Sequence, residues 1–253
     1  MKAFERAETS RRVLPGTPVC ARLDGRNFSN WTRGLARPFD PRLTEVMTHC
    51  TLRLVQETDA DVGYTQSDEI TLIWARPERM FFGGKYQKLA SILSSMLTAH
   101  FNAKVPERIP ELAGIPGTFD CRVWQVPTLE DAADVLLWRE ADATKNSINS
   151  AARAHFSHGE LHKKNGDEMR EMLRGVGVDW DAYPVHFRRG TYVLVEHVTR
   201  SYTMAELAVL PPKHAAHVDP DLEVTRRVVR PAGNIPPLRS IEDRVSVLFG
   251  AAT

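Results

Sequence analysis

The chain has 253 residues, of which 42% are hydrophobic and 26% charged, and a formal net charge of +1. This is an ordinary globular balance with length for one large domain or two small ones; no apolar run is long enough to span a bilayer, and the overall charge alone does not announce a polyanion binder. Cys20, Cys50 and Cys121 lie far apart with no C-x-x-C spacing, which argues against a disulfide framework or a zinc knuckle and predicts buried thiols.

The N-terminus, Met1 to Glu8, lacks the apolar segment of a secretory signal, so a cytoplasmic, membrane-free protein is expected. Charge is uneven: before residue 37, Lys2, Arg6, Arg11, Arg12, Arg22, Arg26 and Arg33 face only Glu5, Glu8 and Asp24, enough for a local basic patch. Val19 to Leu23 alternates like a strand and ends at Asp24-Gly25. Asn27 to Arg37 mixes aromatic and basic residues and reads as a loop over the strand ends. Asp40-Pro41 is a helix start, followed by an apolar face of Leu43, Val46, Met47, Cys50 and Leu54 up to about Glu57.

Val62 to Trp74 reads as a β-hairpin whose turn, Ser67-Asp68-Glu69, holds two adjacent acids. Asp-Gly and Ser-Asp are also common turn chemistry, so neither pair identifies a site by itself. Acids on neighbouring strand ends can nevertheless hold hard divalent cations through oxygen ligands. Two such cations about 3.5–4 Å apart are the arrangement of two-metal phosphoryl transfer.

Residues 76–84 read as a loop and a second amphipathic helix starts near Lys85, with Leu89, Ile92, Leu93, Met96 and Leu97 as its buried stripe. Lys85 and Lys88 fall on its first turn, where free amides and basic side chains suit a triphosphate; solvation of an exposed face is the plainer use of the same lysines. The spacing then predicts a proline-rich connector from Pro106 to Gly117, a fourth strand over Phe119–Val126, and a helix from a Thr128/Asp131 capping box to about Phe156.

Ala143 to Lys164 is polar, with Lys145, Asn146, Asn149, Arg153, His155, His158 and His162 as groups able to bond phosphates or unpaired bases. A zinc site from its histidines is the sharper alternative, but Gly159 interrupts the helix that would have to present them together. Asp167–Gly175 reads as a short helix. A doubly basic turn with Arg188 and Arg189 leads into a strand over Val193–His197, a further strand is expected over Tyr202–Leu210, and the proline-rich last forty residues read as a loosely packed, extended basic tail.

Six collinear motifs resemble the tRNA(His) guanylyltransferase family, and most closely its branch of guanylyltransferase-like 3′-to-5′ RNA polymerases. They are Arg22-Leu23-Asp24-Gly25-Arg26-Asn27-Phe28, Gln66-Ser67-Asp68-Glu69, Phe119-Asp120-Cys121-Arg122, Trp138-Arg139-Glu140-Ala141-Asp142, Phe156-Ser157-His158 with Glu160-Leu161-His162, and Phe187-Arg188-Arg189-Gly190-Thr191. The resemblance implies an α+β fold: a polymerase-palm-like, mostly antiparallel sheet with helices packed on one face, plus helical and extended C-terminal additions. It divides the chain into a catalytic part, 1–142, and an RNA-binding part, 143–253, which can form one domain together.

It further implies two Mg²⁺ ions held by Asp24, the Gly25 carbonyl and Asp68, with Glu69 a further required acid. ATP and GTP are implied as substrates, bound by Gly25, Arg26, Asn27, Phe28, Ser67, Lys85 and Lys88. tRNA is implied as the partner, met by the polar residues of 145–162 and by Arg188 and Arg189, and a homotetramer as the assembly. Where the tRNA(His)-specific members carry a His-Ile-Asn-Asn-Leu-Tyr-Asn run, this chain reads Thr144-Lys145-Asn146-Ser147-Ile148-Asn149-Ser150. That departure favours template-dependent repair of tRNA 5′ ends over addition of a single guanylate to tRNA(His). A palm-type nucleotide cyclase would need the acids and a triphosphate site but has no use for the 143–164 segment, and a non-catalytic RNA-binding protein would not need Asp24.

Overall fold

The computed structural model describes residues 1–78, 80–219, 221–233 and 235–250. Helix α1 (Lys2–Thr9) buries none of its side chains. Strand β1 (Val19–Gly25) follows, and the expected loop after it contains a one-turn helix, α2 (Phe28–Trp31). Its anchor is Phe28, buried among the rings of Trp31, Phe101 and Phe119. Helix α3 (Pro41–Thr58) begins as its sequence predicts, with the Asp40 carboxylate accepting from the Arg42 N–H at 3.0 Å.

Strands β2 (Val62–Gln66) and β3 (Glu69–Trp74) form the expected hairpin, Gln66 facing Glu69 across a two-residue turn in which Ser67 takes φ 55°. Helix α4 (Tyr86–Arg108) runs through Pro106 instead of stopping before it. Pro106 falls in the last turn, so the helix forfeits one bond, to the carbonyl of residue 102, and the buried face of Leu89, Leu93, Leu97, Phe101 and Val105 carries it past the proline. That face steps every fourth residue, which leaves Ile92 of the expected stripe exposed.

Strand β4 (Phe119–Gln125) and helix α5 (Leu129–Arg153) match expectation, the latter with both halves of the Thr128/Asp131 capping box formed. Then come α6 (His158–Leu161), α7 (Gly166–Gly175) and α8 (Val185–Arg189). The last of these replaces the doubly basic turn: Phe187 is buried beside Trp180, and Gly190 at φ 79° ends the helix. Strand β5 (Thr191–Ser201) is followed by helix α9 (Met204–Val209), where a strand was expected; Thr203 and Glu206 close a capping box that starts it.

The C-terminal segment is not a loose tail. Strand β6 (Glu223–Pro231) pairs with β5 along its whole length, and Leu238 and, in helix α10 (Arg244–Phe249), Leu248 are buried. Pro220 and the last three residues of that segment lie outside the described residues. Cys20 and Cys50 are buried as expected, whereas Cys121 on edge strand β4 is only partly so.

All six strands pair antiparallel in the order β4-β1-β3-β2-β5-β6. Side chains alternate across the sheet. Val19, Ala21, Leu23, Ile70 and Leu72 meet α3 and α4 on one face. Cys20, Val62, Tyr64, Ile73 and Tyr192 meet Ala132, Ala133, Leu136 and Ala143 of α5, with Leu238 and Leu248, on the other. Helices therefore cover both faces, a correction to the expected single layer that follows from central strands apolar on both sides. The division expected at 142/143 runs through the middle of α5, and β5 and β6 complete the same sheet as β1 to β4. The C-terminal half of α5 builds a third small core, Ile148, Ala151 and Ala152 packing on Leu161, Leu173, Trp180 and Phe187. No helix among the described residues is long and apolar enough to cross a membrane.

Candidate active site

Register brings the acids together. Asp24 lies directly opposite Glu69 on β3 and opposite Asp120 on β4, a row of three carboxylates across three strands. Like charges in facing positions disfavour a sheet, so such a row calls for an electrostatic partner. Asp68 occupies the hairpin turn beside it. A Cβ built on Gly25 would come within 2.6 Å of Asp68 Oδ2 and 2.3 Å of the Phe28 ring, so a side chain at residue 25 would fill the space the Asp68 carboxylate uses. Glycine at that position is required by close approach.

Burial, with the neighbouring Asp24 charge adding to it, pushes the Asp68 carboxyl above the usual range, while a 3.0 Å hydrogen bond from Ser67 Oγ and the Arg22 charge pull it back. Glu69 is likewise raised, chiefly by burial, against the opposing pull of Arg139 and Arg22. Glu69 accepts from Arg22 on one oxygen and from Arg139 on the other, at 2.5 Å in the latter case. Arg22 also reaches Asp24 Oδ2 at 3.4 Å. Among the described residues no group of three or more histidine, cysteine or acidic side chains is arranged to hold a metal. The oxygen donors that could hold a hard cation are fewer, the Asp24 and Asp68 carboxylates, whose charge the cationic groups among the described residues do not fully balance.

Beside the acid turn opens a cleft of about 950 Å³, a size that suits a nucleotide. Gln66, Ser67, Asp68 and Glu69 form one end. Asn146, Asn149, Ser150 and Arg153 of α5 form a wall, spaced i, i+3, i+4, i+7 and so on one helix face. The segment from Ser29 to Thr44 closes the other side, with Arg37 and Phe39 in it, and His186 and Phe187 of α8 close the base. Ser150 Oγ donates to the Pro38 carbonyl at 2.8 Å and fixes the two walls together.

Several expected residues lie elsewhere. Phe28 is in the core, so it cannot stack on a nucleotide. Arg26 and Asn27 are exposed just past β1, outside the cleft lining. Lys85 and Lys88 are at the opposite end of the sheet from the acids: Lys85 bridges Arg12, and Tyr86 meets Gln125, the β4 residue facing Val19 at the start of β1. Only the far end of α4 approaches the site, through Phe101 against Gly117 and Phe28. Lys145, His155, His158 and His162 are solvent-exposed and do not line the cleft.

Arg188 and Arg189 are held internally. Arg188 donates to the Tyr183 carbonyl at 2.7 Å and lies over Trp180. Arg189 pairs with the buried Glu140 and donates to the Ile235 carbonyl at 3.0 Å. Gln66, Asp120 and Ser150 stand in the quoted motifs without a role assigned to them, and Arg37, Phe39 and His186 were given none either. Asp120 was signalled by its alternating strand, and Arg37 by the basic loop over the strand ends; nothing local marks His186.

The family model described as Thg1, tRNAHis guanylyltransferase, matches residues 1–127. The tRNA(His) guanylyltransferase of Neurospora crassa is 26% identical over 252 residues, 88% of this chain and 85% of that protein. An uncharacterized protein, R259, of Acanthamoeba polyphaga mimivirus is 28% identical over 219 residues, 76% of this chain and 75% of its own length. Among solved structures, a bacterial tRNA(His) guanylyltransferase (Thg1)-like protein in complex with ATP superposes with a TM-score of 0.72 at 34% identity, covering 78% of this chain and 85% of that one. A second, in complex with GTP, gives 0.72 at 27% identity over 97% and 96%.

Proposed function

The chain belongs to the Thg1 tRNAHis guanylyltransferase family of nucleotidyltransferases, and on that premise we propose that it adds nucleotides to the 5′ end of tRNA in the 3′-to-5′ direction, directed by a template base in the opposite strand. The RNA 5′-monophosphate first attacks the α-phosphorus of ATP or GTP and expels pyrophosphate; the 3′-hydroxyl of an incoming nucleotide then attacks the capped 5′ phosphorus and expels AMP or GMP, losing its proton as the new phosphodiester forms. The observation that carries the reading is the single cleft in which the acid turn, Ser67 to Glu69, faces the amide and basic wall of α5.

Phosphoryl transfer asks a protein for positioning and charge neutralisation and for no side-chain nucleophile. Asp24, Asp68 and the Gly25 carbonyl would hold the Mg²⁺ ions, which when bound supply neutralisation of phosphate charge. Ser67, exposed at the turn, is placed to hydrogen-bond a phosphate or ribose. Asn146, Asn149 and Arg153 offer donors to the RNA end, and the α5 wall and Ser29–Thr44 segment hold both reactants in one orientation. The assembly we infer is a homotetramer, as the family resemblance implies.

Addition of one guanylate to tRNA(His) is the second reading, supported by the activity named for the Neurospora crassa relative. The test uses purified protein, Mg²⁺ and labelled tRNAs lacking one or more 5′ nucleotides, with and without a complementary acceptor-strand base. Extension of many tRNAs only where pairing is available is the expected result. A lone guanylate restricted to tRNA(His) selects the second reading, and product from nucleotide without RNA selects a cyclase.

A further inference from the structure

Arg139 is a buried cation in an unusual position. It sits on α5, the helix that walls the cleft, with its side chain only 6% exposed, yet it reaches across to the sheet. Its Nη2 donates to Glu69 Oε2 at 2.5 Å and to Asp142 Oδ2 at 3.0 Å, and the exposed Trp138 ring covers the guanidinium at 4.5 Å. The Glu69 oxygen that Arg139 leaves free is taken by Arg22, which also approaches Asp24. Asp142 in turn accepts from Asn146 Nδ2 at 3.2 Å. Six side chains thus run in contact from Asp24 to Asn146: one end is a cation-binding acid, the other is cleft wall.

Counting charge along this chain separates two kinds of carboxylate. Glu69 and Asp142 are matched by Arg22 and Arg139, whereas among the described residues Asp24 and Asp68 have no cation of their own beyond the 3.4 Å approach of Arg22. With both Glu69 oxygens occupied, and no three-residue ligand group among the described residues, Glu69 is ill placed to be a third ligand. We propose that Arg139 is a positioning residue: it clamps Glu69, the cross-strand partner of Asp24, to helix α5, and so fixes the acid pair at the geometry that binds divalent cations. This rests on the cation-binding reading of Asp24 and Asp68. Groups that orient ligands from behind typically cost 10–100-fold in metal affinity when removed, and a guanidinium that serves two carboxylates at once is not replaced by an ammonium.

Mn²⁺ serves as the probe, its free concentration followed by electron paramagnetic resonance in titrations of the full chain without RNA or nucleotide. Arg139→Met is expected to raise the Mn²⁺ Kd roughly 10- to 100-fold, and Arg139→Lys to recover part of the loss. The double variant Arg139→Met/Glu69→Gln is expected to bind no more weakly than the poorer single variant, because both act through one clamp. A Kd within twofold of the unsubstituted protein for folded Arg139→Met, or losses that multiply in the double variant, overturns the proposal. If Arg139→Met does not give a cooperative melt, Arg139→Lys decides: a Kd raised severalfold supports the clamp and an unchanged one overturns it. Asp68→Asn separates the two levels. Loss of Mn²⁺ binding there, with Arg139 variants unaffected, sinks the clamp alone; Mn²⁺ binding that Asp68→Asn does not weaken sinks the cation reading and the clamp with it.

Discussion

Asp24 and Glu69 face each other directly across strands β1 and β3, two carboxylates in one cross-strand pair with Arg22 inserted between them. Asp68 adds a further, half-buried acid at the adjoining turn. Repulsion among these groups is a standing cost of the folded state, as expected where a site is kept for binding and not for stability. Asp68→Asn removes one charge and keeps the shape. It should leave stability in metal-free buffer unchanged or raise it by up to about 1 kcal/mol, while nucleotidyl transfer falls roughly 10³-fold. Mg²⁺ should raise the melting temperature of the unsubstituted chain and not of the variant. Scanning calorimetry with and without Mg²⁺, beside the tRNA extension assay, checks all three.

Gly25→Ala tests the close approach of turn and strand. Its Cβ would lie 2.6 Å from Asp68 Oδ2 and 2.3 Å from the Phe28 ring, so either the carboxylate or a core aromatic must move. Overpacking of this kind costs about 1–3 kcal/mol. Transfer activity is expected to fall further than stability, because Asp68 is among the groups that the new methyl displaces. Urea melts at a temperature where the variant is fully folded separate the two losses. An active Gly25→Ala protein with an unchanged midpoint would show that turn and strand can part without cost and that close approach does not dictate the glycine.

The start of α3 supplies a pH dependence. Asp40 caps the helix, and hydrogen bonding from Arg42, helped by the Ala36 and Arg42 backbone N–H groups, holds its carboxyl below the ordinary range against the opposing effect of burial. A carboxyl with a folded-state pKa lower than its unfolded one, near 3.9, contributes stability that is complete at neutral pH. That contribution fades as pH drops through the folded value. Asp40→Ala should therefore cost about 1–2 kcal/mol at pH 7, with the gap to the unsubstituted chain narrowing below pH 4. Melts at both pH values measure it, and a gap as wide in acid as at neutrality would argue that the loss comes from packing.

Glu140 is a buried carboxylate satisfied from three directions: the Tyr192 hydroxyl at 3.0 Å, the Leu238 N–H at 3.0 Å and the Arg189 guanidinium at 3.5 Å. It ties α5 to β5, α8 and the C-terminal segment. Arg189→Ala leaves this charge with neutral donors only, and breaking a buried pair from one side costs up to about 3–5 kcal/mol. We expect a cost near the lower end, since two strong donors remain, and a loss of RNA binding that tracks unfolding. Filter binding at a temperature where the variant is folded should then return near-normal affinity. Weak binding by fully folded protein would restore Arg189 to a direct role at the RNA.

The acids and their strands were legible because period-two runs end in turn residues, and two such runs announce two strand ends that a sheet can set side by side. The α5 cleft face was legible for a related reason: Asn146, Asn149, Ser150 and Arg153 keep helical spacing. Three features were not. Lys85 sits at a helix start that can be read locally, but which end of the sheet that helix approaches depends on packing at Phe101, several turns further along the same helix. Arg189 looks like a free basic residue because its partner Glu140 is 49 positions distant. The helix at Val185–Arg189 is too short for periodicity, and is made by burial of Phe187 and the positive φ of Gly190.

Arg153 offers a direct test of the cleft wall. It is exposed, closes the last turn of α5 and lines the cleft without any internal ion pair among the described residues. Arg153→Ala should then change the unfolding free energy by no more than the small range of surface substitutions, about 0.5 kcal/mol, while weakening tRNA binding. If the guanidinium meets a phosphate, one fewer counterion is released on binding, and the slope of log affinity against log salt should become shallower by about one. Binding measured across several salt concentrations distinguishes that from a contact to a base, which would weaken affinity at every salt concentration and leave the slope as it was. An unchanged affinity would move the RNA off this wall altogether, and with it the argument that acid turn and α5 face serve a single reaction.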